Sequence, residues 1–154
     1  MKFSIFGLYH QQEIFETNTK YSVNMQDVND FEFIPIDNSA GQYKSIASAY
    51  NNRGFEAKGD YLIFMHQDVQ LYTHNWLMIL SKIVDKYKFG IAGCAGMSGR
   101  GDKLGFIKDR QSLWGKPFAL PHSAQTLDEA LLIIPKKQFI ELGGFAESLG
   151  WHSY

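Results

Sequence analysis

The sequence lacks most of the features that would place it quickly. It has one cysteine, Cys94, in 154 residues, so no internal disulfide can form, which fits a reducing compartment. Charge of neither sign dominates: 15 Lys and Arg stand against 16 Asp and Glu, for a formal net charge of −1. No electrostatic attraction to nucleic acid or to an anionic membrane follows from that balance. No run approaches the ~20 apolar residues of a membrane span. The opening "MKFSIFGLYHQQ" has a short apolar stretch but no small-residue cleavage site after it. Internal repeats, low-complexity tracts and dividing linkers are also lacking, so residues 1–154 read as one cytoplasmic domain.

Several catalytic signatures are absent too. One glycine follows the first apolar run, where dinucleotide binding needs G-x-G-x-x-G. The glycines of "GMSGRG" are not followed by Lys-Ser/Thr, which excludes a Walker phosphate loop. G-x-S-x-G does not occur, so a nucleophile elbow is excluded. The five histidines (10, 66, 74, 122 and 152) match no common zinc spacing. Cys94, inside "FGIAGCAGM", reads as a small core side chain rather than a nucleophile.

What is present is a core. Apolar residues make up 45% of the chain and aromatics 15%, enough to bury a sizeable interior. "KFSIFGLY" (2–9) is a continuous apolar run, as in a strand covered on both faces. Residues 10–30 are polar and irregular, with a helix near Gln11–Thr17. "FEFIPID" (31–37) is a second strand, and Pro35 puts it at an edge or a strand end. Ser39 and Gln42 resemble a capping box, and Tyr43, Ile46, Ala47 and Tyr50 then follow a helical period. "YLIFMH" (61–66) is a third strand, 75–87 a helix striped by Trp76, Leu80, Ile83, Val84 and Tyr87, and 89–97 a fourth strand. From Ser98 the pattern loosens, until 130–134 reads as a strand and Lys136–Leu142 as a helix stopped by Gly-Gly.

Alternating strands and helices predict an α/β fold with a mainly parallel sheet, and sites at the carboxyl ends of its strands. Asp37 and Asp68 both fall at such ends. The first three strands are therefore expected side by side, with the two carboxylates in one cleft. Within "HQD", His66 and Asp68 point the same way if the segment is extended, and such a pair can serve a hydrated divalent cation.

The stretch "AYNNRGFEAKGDYLIFMHQDV" resembles the central signature of family 2 glycosyltransferases of the GT-A fold. Asn51, Gly54, Ala57 and Gly59 there precede an apolar strand and the acidic Asp68. "IPIDNS" resembles the family's second strand, and "TLDEALLIIPKKQFIELGGFAE" its later acceptor-side segment. The HQD form, with "WH" near the end, looks most like a bacterial branch. The resemblance implies a GT-A-like sheet flanked by helices and inverting transfer from a nucleoside diphosphate sugar, UDP-linked, to a polysaccharide or glycolipid acceptor. It implies nucleotide contacts from Asp37, Asn51, His66 and Asp68, a Mn2+ or Mg2+ ion at Asp68, and an acceptor side formed by Glu129 and His152. The setting it implies is the cytoplasm, with peripheral association at the inner membrane face as an option.

Two departures stand out. The usual Asp-x-Asp has become His-x-Asp, and the segment that carries the family's general base would lie beyond Tyr154, leaving Asp128 as a substitute. That early stop raises a second reading, a catalytically silent nucleotide-sugar-binding or partner-binding fragment. A third, nucleotidyl transfer, is disfavoured because no Gly-rich loop with Arg and Lys follows the first strand.

Overall fold

A computed structural model describes residues 1–151. Strand β1 (Phe3–Tyr9) is buried along six of its seven residues and lies inside the main sheet. It pairs in parallel with β2 (Phe31–Asp37) on one side and with β3 (Tyr61–His66) on the other. Beyond β3 comes β9 (Leu131–Pro135), antiparallel to it, and then β4 (Ala92–Gly93), antiparallel to β9. The order is β2-β1-β3-β9-β4, so four strands run one way and β9 runs against them. The expected α/β sheet is present, with the first three strands adjacent.

Strand alternation divides the core into two layers. One face carries Ile5, Ile63, Met65 and Ile133 against Leu77, Leu80 and Val84 of helix α4 (Trp76–Lys86). The other carries Phe6, Leu62, Phe64 and Ile134 against α3 (Ile46–Gly54) and α5 (Lys136–Leu142). Phe64 is the hub of the second layer. Its ring stacks on Phe6 at 4.7 Å and meets Tyr50 at 4.7 Å and Phe145 at 4.9 Å.

Four local expectations are corrected. Helix α3 starts at Ile46 rather than Tyr43, because its cap is Ser45, which forms a reciprocal capping box with Ser48. Ser39 and Gln42 instead bond to Asp37. Residues 12–24 are helical well past Thr17: α1 (Gln12–Phe15), a π-helical segment (Glu16–Lys20) and α2 (Tyr21–Asn24). The strand expected over 89–97 is two strands, β4 and β5 (Ala95–Met97), which part at Cys94 and join different sheets. The loosened region holds an antiparallel sheet, order β7-β6-β5-β8, from β6 (Lys103–Asp109), β7 (Ser112–Gly115) and β8 (Thr126–Leu127). No residue of β6 is fully buried, so no apolar alternation announces it.

Cys94 sits where the two sheets part, packed against the first core layer. Burial pushes its thiol up to about 11, and the negative charge of Asp128 pushes the same way. Alkylation of the folded protein at pH 8 is therefore expected to run on the order of a hundredfold slower than after unfolding in denaturant, since only the thiolate reacts. Equal labelling rates in the two states, read by intact mass, would overturn this placement.

Candidate active site

The site is assembled by strand ends. The register pairs Leu8 with His66 and Tyr9 with Asp37, so β1, β2 and β3 all finish at one edge of the sheet. The chain leaving β2 is tied back there by the Asn38 N–H, which donates to the Tyr9 carbonyl at 2.7 Å. Because β9 is antiparallel, it begins at this same edge, where the His66 N–H donates to the Ala130 carbonyl at 3.1 Å. Residues 128–130, distant in sequence, thereby arrive beside the end of β3.

A cleft of about 460 Å³ opens at this edge. Leu8, Tyr9 and His10 line it from the end of β1, Asn38 and Ile46 from the β2–α3 side, and His66, Gln67 and Asp68 from the end of β3. Trp151 completes the lining. The extended geometry expected for His66-Gln67-Asp68 is replaced by a turn: the Val69 N–H donates to the His66 carbonyl at 3.3 Å, with Gln67 and Asp68 at its centre. All three residues still line the cleft. The Gln67 side-chain oxygen accepts the N–H groups of His10 (3.0 Å) and Gln11 (2.9 Å), joining this turn to the one after β1.

The other expected site residues divide. Asp37 does not line the cleft, but its hydrogen-bond partner Tyr9 and its neighbour Asn38 do. Hydrogen bonds from the Ser39 backbone and hydroxyl, and then from Tyr9, hold the Asp37 carboxyl below the ordinary aspartate range. It is an exposed carboxylate kept ionised into mild acid.

Asn51, expected to contact the nucleotide, does not line the cleft. It is buried, its side-chain nitrogen donates to the Phe145 carbonyl (3.0 Å) and to Glu147 Oε1 (3.0 Å), and its oxygen accepts the Phe145 N–H (2.8 Å). Both amide hydrogens are thus engaged with the segment after α5. Gly144 belongs to the same clamp, since a Cβ there would run into Asn51 Oδ1.

Asp128 is exposed at the head of β9 and accepts the Ala130 N–H at 2.9 Å; it does not line the cleft. Glu129 beside it is half-buried. His152 lies outside the described residues. Asn38 and Trp151 were missed from the sequence: Asn38 is masked by its acidic neighbour, and nothing local marks Trp151, which comes to the cleft through tertiary packing alone.

The model of a glycosyltransferase-like family matches residues 5–116, which include every strand end forming the cleft. The chain belongs to that family. Comparison with curated proteins gives no match. Among solved structures, Staphylococcus aureus TarS 1–349 superposes on 97% of this chain and 51% of its own, with a TM-score of 0.67 at 16% identity. The complex of TarS 1–349 with UDP-GlcNAc superposes on 66% of this chain and 36% of its own, with a TM-score of 0.52 at 17% identity. At these identities the likeness is one of fold, and this member of the family spans about half the length of TarS 1–349. No helix among the described residues is long and apolar enough to cross a membrane.

Proposed function

We propose that the cleft is the donor site of an inverting glycosyltransferase that takes a UDP-linked sugar and passes it to a saccharide or lipid-linked acceptor. The observation that supports this most is the meeting of three strand ends around Asp68, a single carboxylate presented by a turn into an open cleft. Family membership and the TarS fold, crystallised elsewhere with UDP-GlcNAc, point the same way.

On this reading the uracil extends past the cleft lining at Tyr9 and Asn38 to Asp37, which accepts a hydrogen bond from its imide, a task suited to a carboxylate that stays charged. His66 and Asp68 face the diphosphate. No group of three or more His, Cys, Asp or Glu among the described residues could hold a metal ion alone. A Mg2+ or Mn2+ ion there would take Asp68 as its protein ligand and complete its shell with phosphate oxygens and water. Bound there, the cation would neutralise charge on the departing diphosphate.

The acceptor hydroxyl must lose a proton as its oxygen attacks the anomeric carbon and the bond to the diphosphate breaks, through an oxocarbenium-like transition state. Asp128 is the carboxylate we assign to that proton, with Glu129 and His152 on the acceptor side. Its support is the antiparallel entry of β9, which delivers 128–130 to the edge carrying Asp68. The setting proposed is the cytoplasm, where acceptors at the inner membrane face are within reach.

Calorimetry tests the donor site. Manganese alone and UDP alone should each bind weakly, and each should tighten the other on the order of tenfold or more, because the two share one shell. Independent binding would remove the cation from the site, and no UDP binding in either condition would remove the donor reading. For transfer, release of UDP from a panel of donor sugars with acceptor extracts should fall about 10²–10⁴-fold in Asp128→Asn, with UDP affinity unchanged. Full turnover in that variant would place the base elsewhere; donor binding without turnover in the unaltered protein would favour the silent reading.

A further inference from the structure

The helical stretch after β1 and the residues just past its end carry three buried polar side chains: Thr19, Ser22 and, two residues beyond α2, Gln26, at 0%, 5% and 8% exposure. Thr19 and Ser22, three residues apart, share one side of the helical stretch, and Gln26 continues that side past its end. Such a face normally holds apolar residues. Here it is turned toward the chain that leaves β3 and bonds to that chain's backbone. The Thr19 hydroxyl is shared between the carbonyls of His66 (2.7 Å) and Val69 (2.9 Å). Ser22 Oγ accepts the Leu71 N–H at 3.0 Å. Gln26 donates to the Thr73 carbonyl (2.9 Å) and accepts the Leu77 N–H (3.0 Å).

We infer that Thr19 is a positioning residue for the acidic turn, holding the backbone that presents Asp68 to the cleft; the inference rests on the donor-site reading of that cleft. The two carbonyls it grips bracket Gln67 and Asp68. The turn's own hydrogen bond, from Val69 N–H to the His66 carbonyl, is long at 3.3 Å. A turn closed by that bond alone would open readily, whereas a carboxylate that shares a cation with a ligand must be held to roughly 0.5 Å. Thr19 sits within the π-helical segment, and such segments recur where a helix is re-aimed for function. From the other side, Gln67 bonds the turn to His10 and Gln11. The acidic turn is thus held from two directions, and Thr19 is the buried side of the grip.

Thr19→Val keeps the shape and removes the hydroxyl, and Thr19→Ser restores the hydroxyl. In unliganded protein, hydrogen exchange over residues 66–73 should quicken about tenfold in Thr19→Val with the central strands unchanged, and return in Thr19→Ser. Manganese-linked UDP affinity should weaken about tenfold in Thr19→Val and recover in Thr19→Ser, while UDP affinity without metal stays the same. An unprotected Val69 amide in the unaltered protein would overturn the inference, and so would unchanged exchange in Thr19→Val or exchange quickened equally everywhere. Should the unaltered protein bind no UDP, the donor reading fails by itself, and the exchange measurements still decide whether Thr19 holds the turn.

Discussion

Asp68→Asn is expected to abolish the manganese-dependent part of UDP binding while leaving the fold intact. Asp68 is exposed at the centre of a turn and belongs to neither core layer, so the melting temperature without ligand should stay within about 0.5 kcal/mol equivalent of the unaltered protein. The isosteric amide keeps the volume and removes the charge. In the unaltered protein, ligand at about a hundred times its Kd should stabilise by ~2.7 kcal/mol, because it binds the folded state alone. For a chain of this size that is a rise in Tm of roughly 5–10 °C. In Asp68→Asn the manganese-dependent part of the rise should vanish. A shift of full size in the variant would mean that the cation, if there is one, is held by other groups.

Asn51→Leu is expected to be the more damaging change, and for a different reason. The side chain joins α3 to the segment after α5 through three hydrogen bonds, and leucine would leave the Phe145 N–H and carbonyl without those partners. Hydrogen bonds of this kind contribute about 0.5–1.5 kcal/mol each, so loss of the three costs about 3 kcal/mol, a fall in Tm of roughly 6–12 °C. Phe145 packs its ring edge-on against Phe64, so the second core layer loosens with the clamp. Measured well below the new midpoint, UDP affinity should be retained. A variant of normal stability that had lost UDP affinity would return Asn51 to the nucleotide site.

These two residues mark how far the chain could be read without coordinates. The apolar runs of β1 and β3 are buried on both faces, and such runs announce themselves without any periodicity argument. Asp37 and Asp68 stood at strand ends, where an α/β sheet places its ligands, and β2-β1-β3 adjacency brought those ends together. Two signature residues ahead of the acidic turn have packing roles in this structure. A Cβ at Gly59 would collide with the backbone of β1, and Asn51 is a clamp. Motif resemblance marks which residues matter without saying what each one does.

The misses have physical causes. Thr19, Ser22 and Gln26 made residues 10–30 look irregular because their polarity hides a helix face that is buried through hydrogen bonds. β6 and β7 lie in a sheet with little core to cover, and their turn depends on Arg110 at a φ of 51°, a conformation that Arg seldom signals. The break at Cys94 interrupts no apolar pattern, since both halves of "AGCAGM" satisfy either sheet. The arrival of Trp151 at the cleft depends on contacts far away in the chain.

The reversed strand β9 also bears on how the molecule comes into being. Its pairs with β3 join Met65 to Leu131 and Tyr61 to Pro135, partners 66 to 74 positions apart. Closing a loop of that length is entropically slow to achieve, and contacts of such separation set the pace of folding in small domains. A growing chain that has made residues 1–69 already contains the whole acidic turn, yet β3 then has an open edge with no strand to cover it. Such an edge invites pairing with other chains until residues 131–135 emerge and dock. Protection of that edge therefore arises in a single late event, when the last strand of the sheet closes against β3.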